Sequence, residues 1–178
     1  MNTWFTADTH FGHSNIIRYC NRPFSDSVEM DNAIIANWNN VVGKDDLVYH
    51  LGDFCFGNFD HYFNQLNGLI IFIKGNHDKI AWQNRAKFYS SSDSYREIKV
   101  NEQEITLSHY SFRVWNESHY GSWNLYGHSH GSLPDDPNAR AIDVGVDCHK
   151  FTPISFEQIA AIMEKKNFKP IDHHTGTK

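Results

Sequence analysis

No run of about 18 consecutive apolar residues occurs in the 178-residue sequence, which excludes a transmembrane helix. Cysteine is scarce and odd in number: Cys20, Cys55 and Cys148 lie far apart. That argues against a disulfide framework and for a reducing cytoplasm. Basic charge is in deficit, with 16 Lys and Arg against 21 Asp and Glu and a formal net charge of −5. Proteins that coat duplex nucleic acid show the opposite balance, so avid duplex binding is not expected. The opening residues carry neither a basic leader nor a long apolar stretch, so no secretory signal is expected. Repeats, low-complexity tracts and linkers are also missing. What is present is 40% hydrophobic and 15% aromatic residues, enough to bury a core without disulfides or a structural metal. The anomaly is 12 histidines. Histidine is the commonest metal-ligating side chain, so their placement decides what they mean.

Residues 1–168 read as one domain and residues 169–178, with the His173-His174 pair, as a polar tail expected to fray. Strand candidates are Trp4–Ala7, Leu47–Leu51 and the almost wholly apolar Leu69–Lys74. Between them, Asp26–Val42 has a helical apolar face, with Asp26 and Glu29 as a capping pair and Gly43 as its closing residue. Phe59–Leu66 reads as a short helix. Strands separated by helices predict parallel units. In the second half, Tyr95–Val100 and Glu104–Ser108 flank a polar turn and predict a hairpin, followed by strands at Ser122–Tyr126 and Ala139–Val144. A final helix spans Ser155–Lys166, with Ser155 and Gln158 as a capping box and Lys165 and Lys166 at its negative end. The expected fold is α/β: two packed sheets with helices outside.

Each apolar strand is followed by side chains able to hold a metal: Asp8-x-His10, Gly52-Asp53, Gly75-Asn76-His77-Asp78, His109, and Gly127-His128-x-His130. Ligands in open α/β sheets bind beyond the carboxyl ends of strands, so these residues converge if the ends share one rim. Residues i and i+2 of an extended segment point the same way, so Asp8 and His10 can grip one ion together, and so can His128 and His130. Asp53 alone could bridge two cations. Nitrogen and oxygen donors without thiolate suit divalent transition ions.

This ordered set resembles the calcineurin-like metallophosphoesterase superfamily, its small single-domain bacterial and phage members in particular. The resemblance implies a four-layer αββα sandwich of two mixed sheets flanked by helices, with two divalent metal ions at its rim. Mn²⁺ is expected, with Fe²⁺, Co²⁺, Zn²⁺ or Ni²⁺ as alternatives. It further implies that Asp8, His10, Asp53 and His130 hold the first ion and that Asp53, Asn76, His109 and His128 hold the second. Asp53 would bridge, and His77 would stand unligated beside the leaving group. One departure matters. Protein Ser/Thr phosphatases of this superfamily have a second aspartate where this sequence has Phe56, and they have an arginine that is absent from this block. A protein-phosphatase role is therefore not expected, and Asp78 is a candidate for positioning His77.

The expected reaction is hydrolysis of a phosphodiester in a small or nucleotide-like substrate, by in-line attack of a hydroxide shared between the two ions. His77 would act as general acid for the leaving alkoxide. A phosphomonoesterase is the alternative, and a non-catalytic binding module of the same fold is a further one. His13 and Asn15 either reach the phosphate or serve capping and packing roles, and Arg18 and Arg113 are possible phosphate contacts. Trp115 and Tyr120 could stack on a nucleobase or simply pack in the core. His50, His61, His119 and His149 default to structural or surface roles, and Cys55 to a small buried apolar one.

Overall fold

The computed structural model describes residues 1–172; the expected His173-His174 tail lies outside the described residues. In chain order the elements are β1 (Thr3–Thr6), α1 (Ser14–Tyr19), α2 (Ser27–Val41), β2 (Leu47–His50), α3 (Phe59–Phe63), β3 (Leu69–Ile73) and α4 (Lys79–Gln83). There follow β4 (Ser90–Ser92), β5 (Tyr95–Val100), β6 (Gln103–Ser108), β7 (Trp123–Tyr126), β8 (Ala141–Asp143), β9 (Ile154–Ser155) and α5 (Phe156–Met163). Two mixed sheets result, in the orders β4-β3-β2-β1-β9 and β5-β6-β7-β8. Strands β1 to β4 are mutually parallel and β9 runs antiparallel to β1. In the second sheet β5 and β6 form the expected hairpin, and β7 and β8 continue in parallel. This is the expected α/β sandwich of two mixed sheets flanked by helices.

Strand alternation explains the layers. Phe5, Tyr49, Ile71 and Ile73 face Ile105, Leu107, Leu125 and Ile142 in the core between the sheets, which α5 closes with Phe156, Ile159 and Met163. Val48, Ile70 and Phe72 point the other way, onto Met30, Ile34 and Trp38 of α2. The periodic face of α2 was legible in the sequence for this reason.

Local chemistry sets the helix ends. Asp26 accepts from Glu29 N at 2.8 Å, whereas the Glu29 carboxylate bonds Ser25 N and Oγ at 2.7 and 2.6 Å, one residue earlier than a standard capping box. Gly43 does not close the helix. Val42 does so in an extended conformation, and Gly43 N instead donates to Asp46 Oδ2 at 3.0 Å. The Ser155–Gln158 capping box is present as expected. Helix α5 ends at Met163, and Lys166 Nζ, rather than sitting on the helix end, reaches Ala141 O at 2.8 Å. Helix α3 is likewise shorter than expected. The stretch expected to fray is docked as far as Asp172. Lys169 N donates to Asn138 O at 2.9 Å, and Asp172 Oδ2 accepts from Ser118 Oγ at 3.0 Å. Among the described residues, no helix is long and apolar enough to cross a membrane.

Asp46 ties the start of the first sheet. Its carboxylate accepts from Asn2 N at 2.7 Å and Trp4 Nε1 at 3.0 Å as well as from Gly43. Led by the Asn2 bond, these hold its pKa down to about 2, against an ordinary 3.8. A depressed folded pKa contributes stability that is complete above the unfolded value and lost as pH falls toward the folded one. Asp46→Ala is expected to cost about 2–3 kcal/mol at neutral pH in urea unfolding, with the difference from wild type shrinking between about pH 4 and 2.

Candidate metal centre

Parallel register brings the carboxyl ends of β1, β2 and β3 side by side, with Thr6 opposite His50 and His50 opposite Phe72. The second sheet joins them through a bridge between Ala7 and Gly145. Backbone bonds then lock the loops that follow. Asp8 N donates to Gly52 O at 2.9 Å, His10 N to Asp53 O at 3.0 Å and Gly127 N to His109 O at 3.0 Å. Glycine is required at the closest approaches: a Cβ on Gly75 would collide with the Asp53 carboxylate, and one on Gly127 with Ala7 and Asp8.

The donors meet here. One nitrogen or oxygen from each of Asp8, His10 and His130 lies within 4.8 Å of the others, and the same holds for Asp8, Asp53 and His109. Asp53 Oδ2 is 3.5 Å from His10 Nε2 and 3.6 Å from His109 Nε2, so one carboxylate oxygen stands between the two groups. Asn76 Oδ1 is 2.8 Å from His109 Nε2 and 3.1 Å from His128 Nδ1. The two histidines of Gly127-His128-x-His130 therefore part company: His130 joins Asp8 and His10, and His128 joins Asn76 and His109. The same-face reading of that pair is wrong, because the chain is not extended there. Asp8, His10, Asp53, His128 and His130 all have left-handed φ, between 48° and 68°. Each such residue costs about 1–2 kcal/mol, and strain of this kind clusters at functional sites.

The donor atoms fit a divalent cation. Asp8 Oδ1 and His10 Nε2 are buried with no hydrogen-bond partner, an expensive state for polar atoms unless something else fills the valence. His109 Nδ1 bonds Leu51 O at 2.8 Å and His130 Nδ1 bonds Asp147 Oδ2 at 2.7 Å. Each bond fixes a tautomer that leaves Nε2 as a lone pair facing the cluster. Burial first of all pushes the Asp8 and Asp53 carboxyls up, with Asp143 and Asp53 adding to the effect at Asp8. Burial likewise lowers His10, and brings His109 down to about 4, with nearby histidines contributing. Neutral imidazoles beside two carboxylates are the state a metal takes up.

His77 stands exposed at the rim. Its backbone N donates to Asp53 Oδ1 at 2.8 Å, and its ring lies 5.4 Å from Phe56 and 5.9 Å from His10. Asp78 does not position that ring. Its buried carboxylate accepts from Asp53 N, Gly75 N and Phe54 N at 2.6, 2.6 and 2.8 Å, welding two loops together. His13 is at the site, stacked on Phe56 at 4.0 Å with Nδ1 3.5 Å from His10 Nδ1. Asn15 is exposed in the first turn of α1, and Arg18 is exposed beside Tyr19. Arg113 is not at the cluster; it lines a cavity beside the second sheet. His50 is fully buried, with Nε2 3.0 Å from Thr9 Oγ1, and Cys55 packs in the helix-side core. Both are structural, as expected.

Arg22 and Asp147 belong to no motif that sequence reasoning singled out. Arg22 is buried and donates to Asp8 O and Thr9 O at 2.7 and 3.1 Å, while gripping Asp147 with two bonds of 2.8 Å. Asp147 in turn holds His130. Burial alone would raise Asp147, but the bonds from His130 and Arg22 hold it below the usual carboxylate range.

Comparison with known proteins supplies the context for this geometry. The family model for calcineurin-like phosphoesterases matches residues 1–153. The chain is 35% identical over 172 residues to an uncharacterized protein, MJ1445, of Methanocaldococcus jannaschii, covering 91% of each. It is 29% identical to the Gene 66 protein of Mycobacterium phage L5, covering 82% of this chain and 86% of the phage protein. Among solved structures it is similar to AQ665 of Aquifex aeolicus, a protein of unknown function, with a TM-score of 0.72 and 25% identity. That match covers 90% of this chain and 98% of the other.

Proposed function

The chain belongs to the calcineurin-like phosphoesterase family, and from that premise we propose that it is a metal-dependent phosphodiesterase acting on small diesters. The observation that carries the reading is Asp53 Oδ2 standing 3.5 and 3.6 Å from the Nε2 atoms of His10 and His109. This is where a bridging carboxylate between two ions belongs. Asp8, His10, Asp53 and His130 would hold one ion, and Asp53, Asn76, His109 and His128 the other. Such ions, when bound, supply Lewis acidity toward the phosphoryl oxygens and a nucleophile at neutral pH, and Mn²⁺ suits this set of imidazole, carboxylate and amide donors.

The chain's own residues do the rest. Asp147 and Leu51 O hold the His130 and His109 rings so that Nε2 faces inward. Asp78 fixes the spacing between the Asp53 and Gly75 loops. Phe56 and Tyr110, respectively 36% and 49% exposed, put aromatic rings at the rim. Such a rim favours the single charge of a diester over the double charge of a monoester. His77 Nδ1 or Nε2 gives its proton to the leaving alkoxide. The three cysteines are free, in keeping with a cytoplasmic protein.

The test is hydrolysis of bis(p-nitrophenyl) phosphate with added Mn²⁺, expected to be abolished by chelation. Faster turnover of p-nitrophenyl phosphate than of the diester would overturn the diester assignment. His77→Ala is expected to keep both ions yet slow hydrolysis of an alkyl diester by about 10²–10⁴-fold. Its effect on the p-nitrophenyl diester should be far smaller, since that leaving group needs little protonation. Equal losses on both substrates would remove His77 from the acid role.

A further inference from the structure

A cavity of about 400 Å³ lies apart from the metal cluster, against the second sheet. Its floor is the outer face of the second sheet, where Tyr126 and Ala141 point away from the core that Leu125 and Ile142 enter. Its wall is the loop between β6 and β7. The loop leaves β6 at the strand end that carries His109, with Ser111 two residues after it, and Tyr126 of the floor, the last residue of β7, lies two residues before His128. Two residues of chain reach at most about 7 Å, so the cavity and the cluster are neighbours along both paths. Tyr110 stands at the boundary, its ring 4.6 Å from that of His128.

The wall is built rather than loose. Asn124 is fully buried, accepts from Phe112 N at 3.1 Å and donates to Thr106 O and Ser108 Oγ at 3.2 Å. Trp115 Nε1 bonds Ser122 O at 3.2 Å. The far side is closed by Phe168 and Lys169, the latter tied to Asn138 O.

The lining names a ligand class. Phe112, Trp115 and Phe168 offer flat apolar faces. Arg113, Arg140 and Lys169 offer three positive charges against one carboxylate, Asp136. Arg140 lies 5.1 Å over the Phe168 ring, and its Nε is buried with no hydrogen-bond partner. A sugar phosphate would satisfy the cations and waste the aromatic rings, while a lipid chain would do the reverse. A planar base joined to an anionic phosphate uses both, and the volume falls within the usual range of about 300–1,000 Å³ for ligand sites. We propose that this cavity is a nucleotide subsite, which makes the substrate of the neighbouring cluster a nucleotide-bearing diester; the substrate half of this inference rests on the phosphodiesterase reading above.

The experiment compares two chromogenic diesters on the Mn²⁺-loaded protein: the p-nitrophenyl ester of thymidine monophosphate and bis(p-nitrophenyl) phosphate. The nucleotide ester is expected to show kcat/KM at least about tenfold higher, the scale of one base stacked on an aromatic ring. Arg113→Ala and the cavity-filling Leu133→Trp should each collapse that ratio toward one. Equal kcat/KM for the two esters in wild type would sink the nucleotide subsite while leaving the phosphodiesterase reading intact. Hydrolysis of neither would sink the phosphodiesterase reading. Calorimetric titration then tests the cavity by itself: thymidine monophosphate should bind at least about tenfold more tightly than ribose phosphate, and Leu133→Trp should abolish the difference. Binding that survives Leu133→Trp unchanged would place the nucleotide elsewhere and overturn the proposal.

Discussion

Asp53→Asn is expected to reduce Mn²⁺-dependent hydrolysis of bis(p-nitrophenyl) phosphate by about 10³-fold or more, the scale of several kcal/mol of charge stabilisation. The substitution is nearly isosteric, and the amide oxygen can still accept from His77 N, as Asp53 Oδ1 does at 2.8 Å. What it removes is the charge on the oxygen between His10 and His109. The metal-free fold should tolerate this well, because Asp53 is 2% exposed and its burial already disfavours the charged form. Thermal unfolding separates the two effects. Mn²⁺ at about 100 times its Kd should raise the Tm of wild type by about 5–10 °C, from about 2.7 kcal/mol of linkage. Asp53→Asn should start close to the wild-type metal-free Tm and gain little of that rise. A variant that still bound two ions per chain and turned over at the wild-type rate would remove Asp53 from the bridging position.

The site was legible wherever a single local rule generated it. Apolar strands ending in Gly-Asp, Gly-Asn-His or Gly-His placed the donors beyond the carboxyl ends of strands in both sheets, because parallel register aligns strand ends. Ser155 and Gln158 announced a helix start because a capping box is a local arrangement. What escaped was set by neighbours distant in sequence. Ser90–Ser92 has no strand propensity, and it becomes β4 because the edge of β3 offers Ile71, Phe72 and Ile73 as partners. Ile154–Ser155 becomes β9 only against β1. The His128–His130 pair misled because alternation presumes an extended backbone, which left-handed φ at both residues rules out; Asp8 and His10 have left-handed φ too and still share one group, so the direction of each ring is set by its neighbours. Asp78 misled by adjacency. It sits next to His77 in sequence, but backbone N–H groups of Asp53 and Phe54 in the neighbouring loop, and of Gly75 in its own, claim its oxygens.

Arg22 shows what sequence order hides most completely, since its partner Asp147 is 125 residues away. Two different functions run through the pair, and they are separable. The Arg22 side chain is 0% exposed and that of Asp147 9%, so Arg22→Met strands a buried carboxylate and is expected to cost about 3–5 kcal/mol in urea unfolding. Asp147→Ala strands the guanidinium and also frees the His130 ring, so it should lower stability by a similar amount and Mn²⁺ affinity by about 10–100-fold. In the double variant Arg22→Met/Asp147→Leu no charge is left unpaired, and apolar replacements of similar bulk restore packing. Much of the lost stability should therefore return. Mn²⁺ affinity should not return with it, because neither Met nor Leu can accept the Nδ1 proton of His130 and hold its Nε2 toward Asp8 and His10. If affinity recovered together with stability, Asp147 would be a folding element alone, and the orientation of His130 would have to come from the metal itself.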